Sequence, residues 1–166
     1  MPLPEFVSKL SNNGTNKIIY VYSYETPVGT AIAAADEDFL YLLKLEHNKV
    51  FERAFQTIAS QLKCSFVEKQ NEILKQLEKE LSLYFKGELK RFSVPVKTFG
   101  TDFQKEVWEA LQGVPFGSTQ TYSDIAKSID RASSHSRAVG SACGANSHLI
   151  IIPCHRCVYF INLIFF

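Results

Sequence analysis

Between Ile18 and Leu45 the chain carries three strand-like runs, Ile18 to Tyr24, Val28 to Ala34 and Phe39 to Leu45, divided by Thr26-Pro27 and by Asp36-Glu37-Asp38. Turn residues at that spacing predict an antiparallel meander. The next pattern is helical. It is compatible with a helix from about Val50 to Gln61 and clear from Lys69 to Lys86, where Leu74, Leu77, Leu81, Tyr84 and Phe85 recur at helical spacing and Gly87 stops the run. Glu72, Lys75, Glu78 and Lys79 on the opposite face read as a solvated surface. Residues 1 to 16, with Ser11-Asn12-Asn13-Gly14, are a loose polar end, and Val94-Pro95-Val96 to Gly100 is a connection between two parts. The expectation is an α/β N-terminal domain over residues 1–97.

Beyond Gly100 the texture changes to short helices, giving a mainly α second domain over residues 98–166. Thr101 with Gln104 is a capping-box pattern, followed by an apolar face of Phe103, Val107, Ala110 and Leu111, with Trp108 assigned to the core. Val114-Pro115-Phe116-Gly117 is a turn. Thr121 can cap a second helix with Tyr122, Ile125, Ala126 and Ile129 on one face, and Ser133 or Ser134 can cap a third reaching about Gly144. That is a helix-turn-helix outline, which many globular domains also contain.

The third helix is more informative. Ala138, Gly140, Ser141, Ala142 and Gly144 make a surface poor in helix propensity and suited to close approach by a large body, or equally by a partner helix. Arg137 near its start opposes the helix macrodipole, so another reason must place it there; a plain surface arginine is the alternative.

Ile150-Ile151-Ile152-Pro153-Cys154-His155-Arg156 reads as a buried strand that ends at Pro153 and delivers a cysteine. His155 and Arg156 would supply the nearby charge that lowers a thiol pKa and makes Cys154 a nucleophile. A buried thiol acting as a small hydrophobe is the competing reading.

Composition excludes several classes. With 46% hydrophobic and 13% aromatic residues, the chain of 166 can bury a core, and a formal charge of +1 argues against a polybasic coat, so any DNA contact must be local. No basic start leads into a long apolar run; neither signal peptide nor membrane span is expected, which places the protein inside the cell. Cys64, Cys143, Cys154 and Cys157 lack the density of a disulfide scaffold. Cys154 and Cys157 form a C-x-x-C, which leaves open a redox pair or half of a zinc site, although the following Val158-Tyr159-Phe160-Ile161 is strand-like and no second close ligand pair exists among Cys64, Cys143, His47, His135 and His148.

The stretch Ile152-Pro153-Cys154-His155-Arg156 resembles the active-site signature of the O6-alkylguanine-DNA alkyltransferases. The resemblance extends through Phe103-Gln104-Lys105-Glu106-Val107-Trp108, Val114-Pro115-Phe116-Gly117, Thr121-Tyr122-Ser123, Arg137-Ala138-Val139-Gly140 and Asn146, in the family's order and near its spacing. It implies a ribonuclease-H-like N-terminal domain and stoichiometric transfer of an alkyl group from O6-alkylguanine, with O4-alkylthymine as a second substrate, to Cys154 without a cofactor. The partner implied is double-stranded DNA, bound by a monomer in the nucleus of a eukaryote or the cytoplasm of a bacterium. By the same resemblance the small-residue helix, with Ala138, Gly140 and Ser141, lies in the minor groove and Arg137 fills the gap left by a flipped nucleotide. Tyr122 crowds the phosphate and assists the departing guanine, although it could simply be core. Asn146 ties the third helix to the active-site strand, or is a plain helix stop; Ser147 follows where the family has proline. Cys157 stands where the family has valine and offers guanine its backbone carbonyl. Pro153 and Arg156 support the site. Some relatives carry zinc in the N-terminal domain; Cys64 and His47 are the only candidates here, and no metal is expected.

The resemblance fails after the signature. The family's downstream glutamate, which polarises the histidine, and its glycine-rich lid have no counterpart in Tyr159-Phe160-Ile161-Asn162-Leu163-Ile164-Phe165-Phe166, an apolar tail resembling an aggregation-prone strand. The reading is a chain truncated relative to the family, as a retained intron or frameshift would leave it, with slow or absent transfer. The alternative function is then a lesion-binding protein with little or no transfer, unless an upstream carboxylate such as Asp124 or Glu109 substitutes.

Overall fold

The computed structural model describes residues 5–10, 16–46 and 49–159. Ser11-Asn12-Asn13-Gly14, His47 and the tail from Phe160 therefore lie outside the described residues. The chain divides into two compact units, Met1–Phe99 and Gly100–Phe166.

The first unit opens with a short helix, α1 (Glu5–Lys9), inside what the sequence presents as a loose end. Val7 explains it, being fully buried in the unit's core. The expected meander follows as β1 (Ile18–Thr26), β2 (Gly29–Ala35) and β3 (Leu40–Leu45), antiparallel throughout. Helix α2 (Lys49–Leu62) leads to β4 (Ser65–Glu68), which pairs parallel with β1, so the sheet order is β3-β2-β1-β4. This fourth strand is too short and polar to show a period of two in sequence. Helix α3 (Glu72–Phe85) is capped by Asn71, whose side chain accepts from the Leu74 N–H.

Ile32 and Ala34 of β2 join Phe51, Phe55 and Ile58 of α2 in one cluster; the alternate residues Ala31, Ala33 and Ala35 are equally buried, and α3 packs against this strand. Small side chains suit a strand covered on both faces. The fully buried Phe55 contributes about 2 kcal/mol through its apolar area. Where β2 turns into β3, Asp36 is buried and accepts hydrogen bonds from Lys17, from Tyr41 Oη at 2.7 Å and from the N–H groups of Asp38 and Phe39 at 2.9 and 2.8 Å. Burial raises its pKa, but these bonds outweigh burial and hold it at about 2.

The second unit is built on α4 (Asp102–Gln112), α5 (Tyr122–Ser128) and α6 (Ser136–Gly144). Thr101 and Gln104 form the expected capping box on α4. Thr121 caps α5 reciprocally with Asp124. The expected serine cap on the third helix is not formed. Ser133 and Ser134 lie inside a 3-10 turn, Ser133–His135, and neither this turn nor α6 has a side-chain cap. Val107, Trp108, Leu111, Ile125, Val139, Ala142 and Ile152 make the core. A two-residue ladder joins β5 (Gln120–Thr121) to β6 (Cys157–Val158) in parallel and fixes the chain just after Cys154. Among the described residues no helix is long and apolar enough to cross a membrane.

Candidate active site

The segment expected to be a strand is a chain of turns. Ile151 N–H donates to Leu149 O at 2.7 Å, Ile152 N–H to His148 O at 3.0 Å, and Cys154 N–H to Ile152 O at 2.8 Å. Ile150 has φ +69°, a left-handed conformation that a β-branched residue rarely adopts. Asn146 overrides the strand propensity of the isoleucines. Its Nδ2 donates to the carbonyls of His148 (3.3 Å) and Ile152 (2.9 Å), and its Oδ1 accepts from His148 N–H (2.8 Å). One amide side chain thus winds the run on itself, satisfying backbone groups that a ladder would otherwise bond. Pro153, buried, precedes a 3-10 turn over Cys154–Arg156.

Asn146 also reaches the sulfur. Nδ2 lies 3.3 Å from Cys154 Sγ, a contact that favours a thiolate. Cys154 is half-buried and packs in the same cluster as Cys143 of α6 and Cys157. The interaction among the thiols lowers the pKa of Cys143 and, together with burial, raises those of Cys154 and Cys157.

His155 and Arg156 follow Cys154 on the same 3-10 turn. Arg156 Nη1 donates to Val114 O at 2.8 Å, and its guanidinium lies over the Phe116 ring at 5.5 Å. It pins the turn after α4 to the turn carrying Cys154. His155 is exposed; partial burial of its ring and the Arg156 charge lower its pKa, and among the described residues its side chain has no hydrogen-bond partner. Asp124, a suggested substitute for the missing carboxylate, is engaged at the Thr121 cap, with Oδ2 accepting from Thr121 N–H at 3.0 Å and Oγ1 at 2.7 Å.

Tyr122 starts α5 beside α6; a Cβ built on Gly140 would lie 4.0 Å from its ring. Burial first, then the nearby thiols, raise its pKa, so it remains an O–H donor at neutral pH. Arg137, Ala138 and Ser141 are exposed along α6, while Val139 and Ala142 are buried. Ser141 Oγ donates to Arg137 O at 3.1 Å, and the Arg137 guanidinium has no partner among the described residues. Trp108 is core, 3% exposed, and its Nε1 donates to Ala142 O at 2.8 Å, holding α6 on α4. Gly100 makes room for it, since a Cβ there would meet the indole at 2.7 Å.

The structure thus packs Cys154, Cys157 and Tyr122 in one cluster of the second unit with Asn146 on Cys154 Sγ, puts Arg137, Ala138 and Ser141 on its exposed helix, and gives Arg156 a bracing contact. Cys143 was not singled out in sequence beyond being one of four cysteines. Its signal was the helical period, because Val139, Ala142, Cys143 and Asn146 fall on one face.

A ribonuclease-like α/β unit followed by a helical unit with a half-buried cysteine on a tight turn defines a class of cysteine acceptors built on a DNA-binding domain. The model of the 6-O-methylguanine DNA methyltransferase ribonuclease-like domain matches residues 19–98, and that of the same family's DNA binding domain matches residues 102–160. A methylated-DNA–protein-cysteine methyltransferase of Methanosarcina acetivorans is 39% identical over 141 residues, covering 84% of this chain and 83% of the relative. The crystal structure of Mycobacterium tuberculosis O6-methylguanine methyltransferase superposes with a TM-score of 0.71 at 31% identity, covering 85% of this chain and 79% of that one. Mycobacterium tuberculosis OGT in complex with DNA gives 0.70 at 31% identity, with 84% and 78% covered. The chain belongs to the 6-O-methylguanine DNA methyltransferase family.

Proposed function

We propose that this protein repairs DNA by moving an alkyl group from O6-alkylguanine in a duplex onto Cys154. The observation that carries the reading is Cys154 Sγ, held at 3.3 Å by Asn146 Nδ2 on a tight turn, in a chain of this family. The O6 substituent lies inside the base stack, so the nucleotide must rotate out before a thiolate can reach it. The exposed Ala138 and Ser141 give α6 a low profile against a groove, and the exposed Arg137 beside them fills the vacated stack. The Cys154 thiolate attacks the alkyl carbon; an S–C bond forms as the C–O6 bond breaks, and guanine departs as an anion that takes a proton. Tyr122, protonated at neutral pH, is placed to donate towards that oxygen or the phosphate. The thioether has no good leaving group, so each molecule acts once, as a monomer, wherever the cell keeps its DNA.

The second reading, lesion binding with little transfer, draws on the exposed His155 and its lack of a partner among the described residues. Incubation with a duplex containing O6-methylguanine, followed by peptide mass mapping, separates the two. The expected result is one methyl group on Cys154. Tight binding without added mass supports the second reading, and methyl on Cys157, Cys143 or Cys64 in preference to Cys154 overturns the assignment of the acceptor.

A further inference from the structure

One motif of the sequence, the Cys154-His155-Arg156-Cys157 spacing, is not used by alkyl transfer, and the fold gives it a definite geometry. Cys154 opens a 3-10 turn over Cys154–Arg156, and the N–H of Cys157 donates to the Cys154 carbonyl. The N–H of Arg156 donates to Pro153 O at 2.9 Å, so two consecutive bonds of the same kind wind the segment. A four-residue turn closed in this way holds its first and last Cα atoms within about 7 Å, and side chains three apart on a 3-10 turn eclipse one another. A disulfide spans Cα atoms about 4.4 to 6.8 Å apart, so the backbone is already in the range that a bridge requires. Both cysteines pack in the same cluster of the second unit.

The turn is braced on both sides. Asn146 Nδ2 donates to Ile152 O at 2.9 Å and to Cys154 Sγ at 3.3 Å, and the pairing of Cys157 with Gln120 fixes the far end. The two sulfurs differ in access: Cys157 is 6% exposed, whereas Cys154 is only half-buried. A small oxidant from solvent meets Cys154 first, with Cys157 sheltered behind it. We propose that Cys154 and Cys157 form a redox pair, in which a hydroperoxide oxidises Cys154 and Cys157 then closes a disulfide with it. With hydrogen peroxide, the Cys154 thiolate attacks one oxygen; an S–O bond forms, the O–O bond breaks, and the departing hydroxide takes the proton that the thiol released. The Cys157 sulfur attacks the resulting sulfenic sulfur; an S–S bond forms, the S–O bond breaks, and the oxygen leaves as water with the Cys157 proton. The sulfurs lose two electrons to the peroxide, and the products are one disulfide and two waters.

Resting on the reading of Cys154 as acceptor, the bridge is an off state, because a sulfur bonded to Cys157 cannot attack the alkyl carbon. Its use follows from the stoichiometry. A sulfenic acid left alone goes on to the sulfinic acid, which a dithiol does not reverse. A disulfide is reopened by exchange with a dithiol, which returns both thiols and is itself oxidised. The pair therefore keeps a protein that transfers once from being consumed by oxidant before it meets a lesion. Cys143 packs in the same cluster but belongs to α6, whereas the bridge between Cys154 and Cys157 needs only the turn.

The test uses the full chain, reduced with dithiothreitol, freed of it and exposed to hydrogen peroxide in small excess. Trypsin cuts after Arg156, between the two cysteines, so a bridge joins the 138–156 peptide to the peptide that begins at Cys157, with the loss of two hydrogens. Fragmentation of the linked pair should place the bond on Cys154, and dithiothreitol should separate the peptides. The oxidised protein should lose single-turnover methyl transfer from an O6-methylguanine duplex and regain it after dithiothreitol. Cys157→Val is compared only with its own reduced sample. The same exposure should cause a loss that dithiothreitol does not restore, with sulfinic acid on Cys154. A bond through Cys143, an absence of linked peptides, a bridged protein that still transfers at the reduced rate, or recovery of Cys157→Val equal to that of the wild type each overturns the proposal. Should Cys157→Val fail to fold, the peptide map and the recovery of the wild type decide alone. Failure of the acceptor reading looks different: the reduced wild type then gains no methyl on Cys154, whatever the oxidised sample shows.

Discussion

Asp36 in the first unit and Cys154 in the second are ionisable groups removed from water on opposite principles. In the first, Asp36 carries a charge that is fully answered by Lys17, Tyr41 and two backbone N–H groups, while Asn71 Nδ2 bonds its carbonyl at 2.7 Å. Every lone pair has a fixed donor, so the charge is locked in place and serves the turn between β2 and β3. In the second, Cys154 Sγ has one fixed side-chain donor, Asn146 Nδ2 at 3.3 Å, and packs in the same cluster as Cys143 and Cys157. Saturated hydrogen bonding makes a structural ion, whereas a sulfur with a single fixed donor keeps the lone pairs that a nucleophile needs.

Substitutions sharpen that contrast. The largest effect belongs to Cys154→Ser, expected to abolish methyl transfer while leaving the melting transition of the protein nearly in place; a cooperative loss of folding would mean that the thiols are structural after all. Asp36→Ala should do the reverse, costing about 3 kcal/mol because Lys17 and Tyr41 lose their buried partner, with the transfer rate per folded molecule unchanged. Urea unfolding monitored beside transfer checks both halves. Asn146→Ala crosses the boundary between the two kinds of site. Loss of its bonds to two carbonyls and one N–H should cost about 2 kcal/mol, and the same variant should slow transfer through loss of the sulfur contact.

Acid provides a gentler test. Asp36 has a depressed folded pKa, about 2, against an ordinary 3.8, so its contribution is fully present above pH 3.8 and is lost as pH falls through 2. The loss amounts to about 2 kcal/mol, an upper figure because the Lys17 side chain is 40% exposed and screened. Denaturant midpoints across that window should fall for the wild type and stay nearly flat for Asp36→Asn. The smallest effect is Trp108→Phe, which keeps most of the buried ring and deletes the bond to Ala142 O, for about 1 kcal/mol by the same assay.

Much of this architecture could be read before any coordinates. The meander, both long helices, the Thr101 capping box, the Thr121 cap and the core position of Trp108 each rest on local chemistry that a short window of sequence contains: Thr26-Pro27, the leucine period, Thr101 with Gln104. The elements that escaped depend on distant partners. β4 exists because β1 offers an edge to Ser65–Glu68, and α1 because Val7 finds a buried place. The isoleucine run misled for the same reason in reverse. Three β-branched residues favour a strand, but Asn146, four residues before the first of them, supplies bonds that wind them into turns, and no propensity scale includes that side chain. At the site, the cysteine, the asparagine and the small-residue helix were legible as types. The partnership of Cys143 with Cys154 was not, because it joins a helix face to a turn that only the folded unit brings together.

The parallel pairing of β1 with β4 also bears on how the molecule comes to be folded. Ile18 must find Ser65 across the whole of β2, β3 and α2, so the first sheet cannot close until a long loop has been formed. The second unit is dominated by helices close in sequence, with α4, α5 and α6 contacting one another directly. Its contacts are the more local, and chains of low contact order fold faster. During synthesis the slower unit leaves the ribosome first and the faster one last, which gives the sheet a head start before the reactive thiols are made.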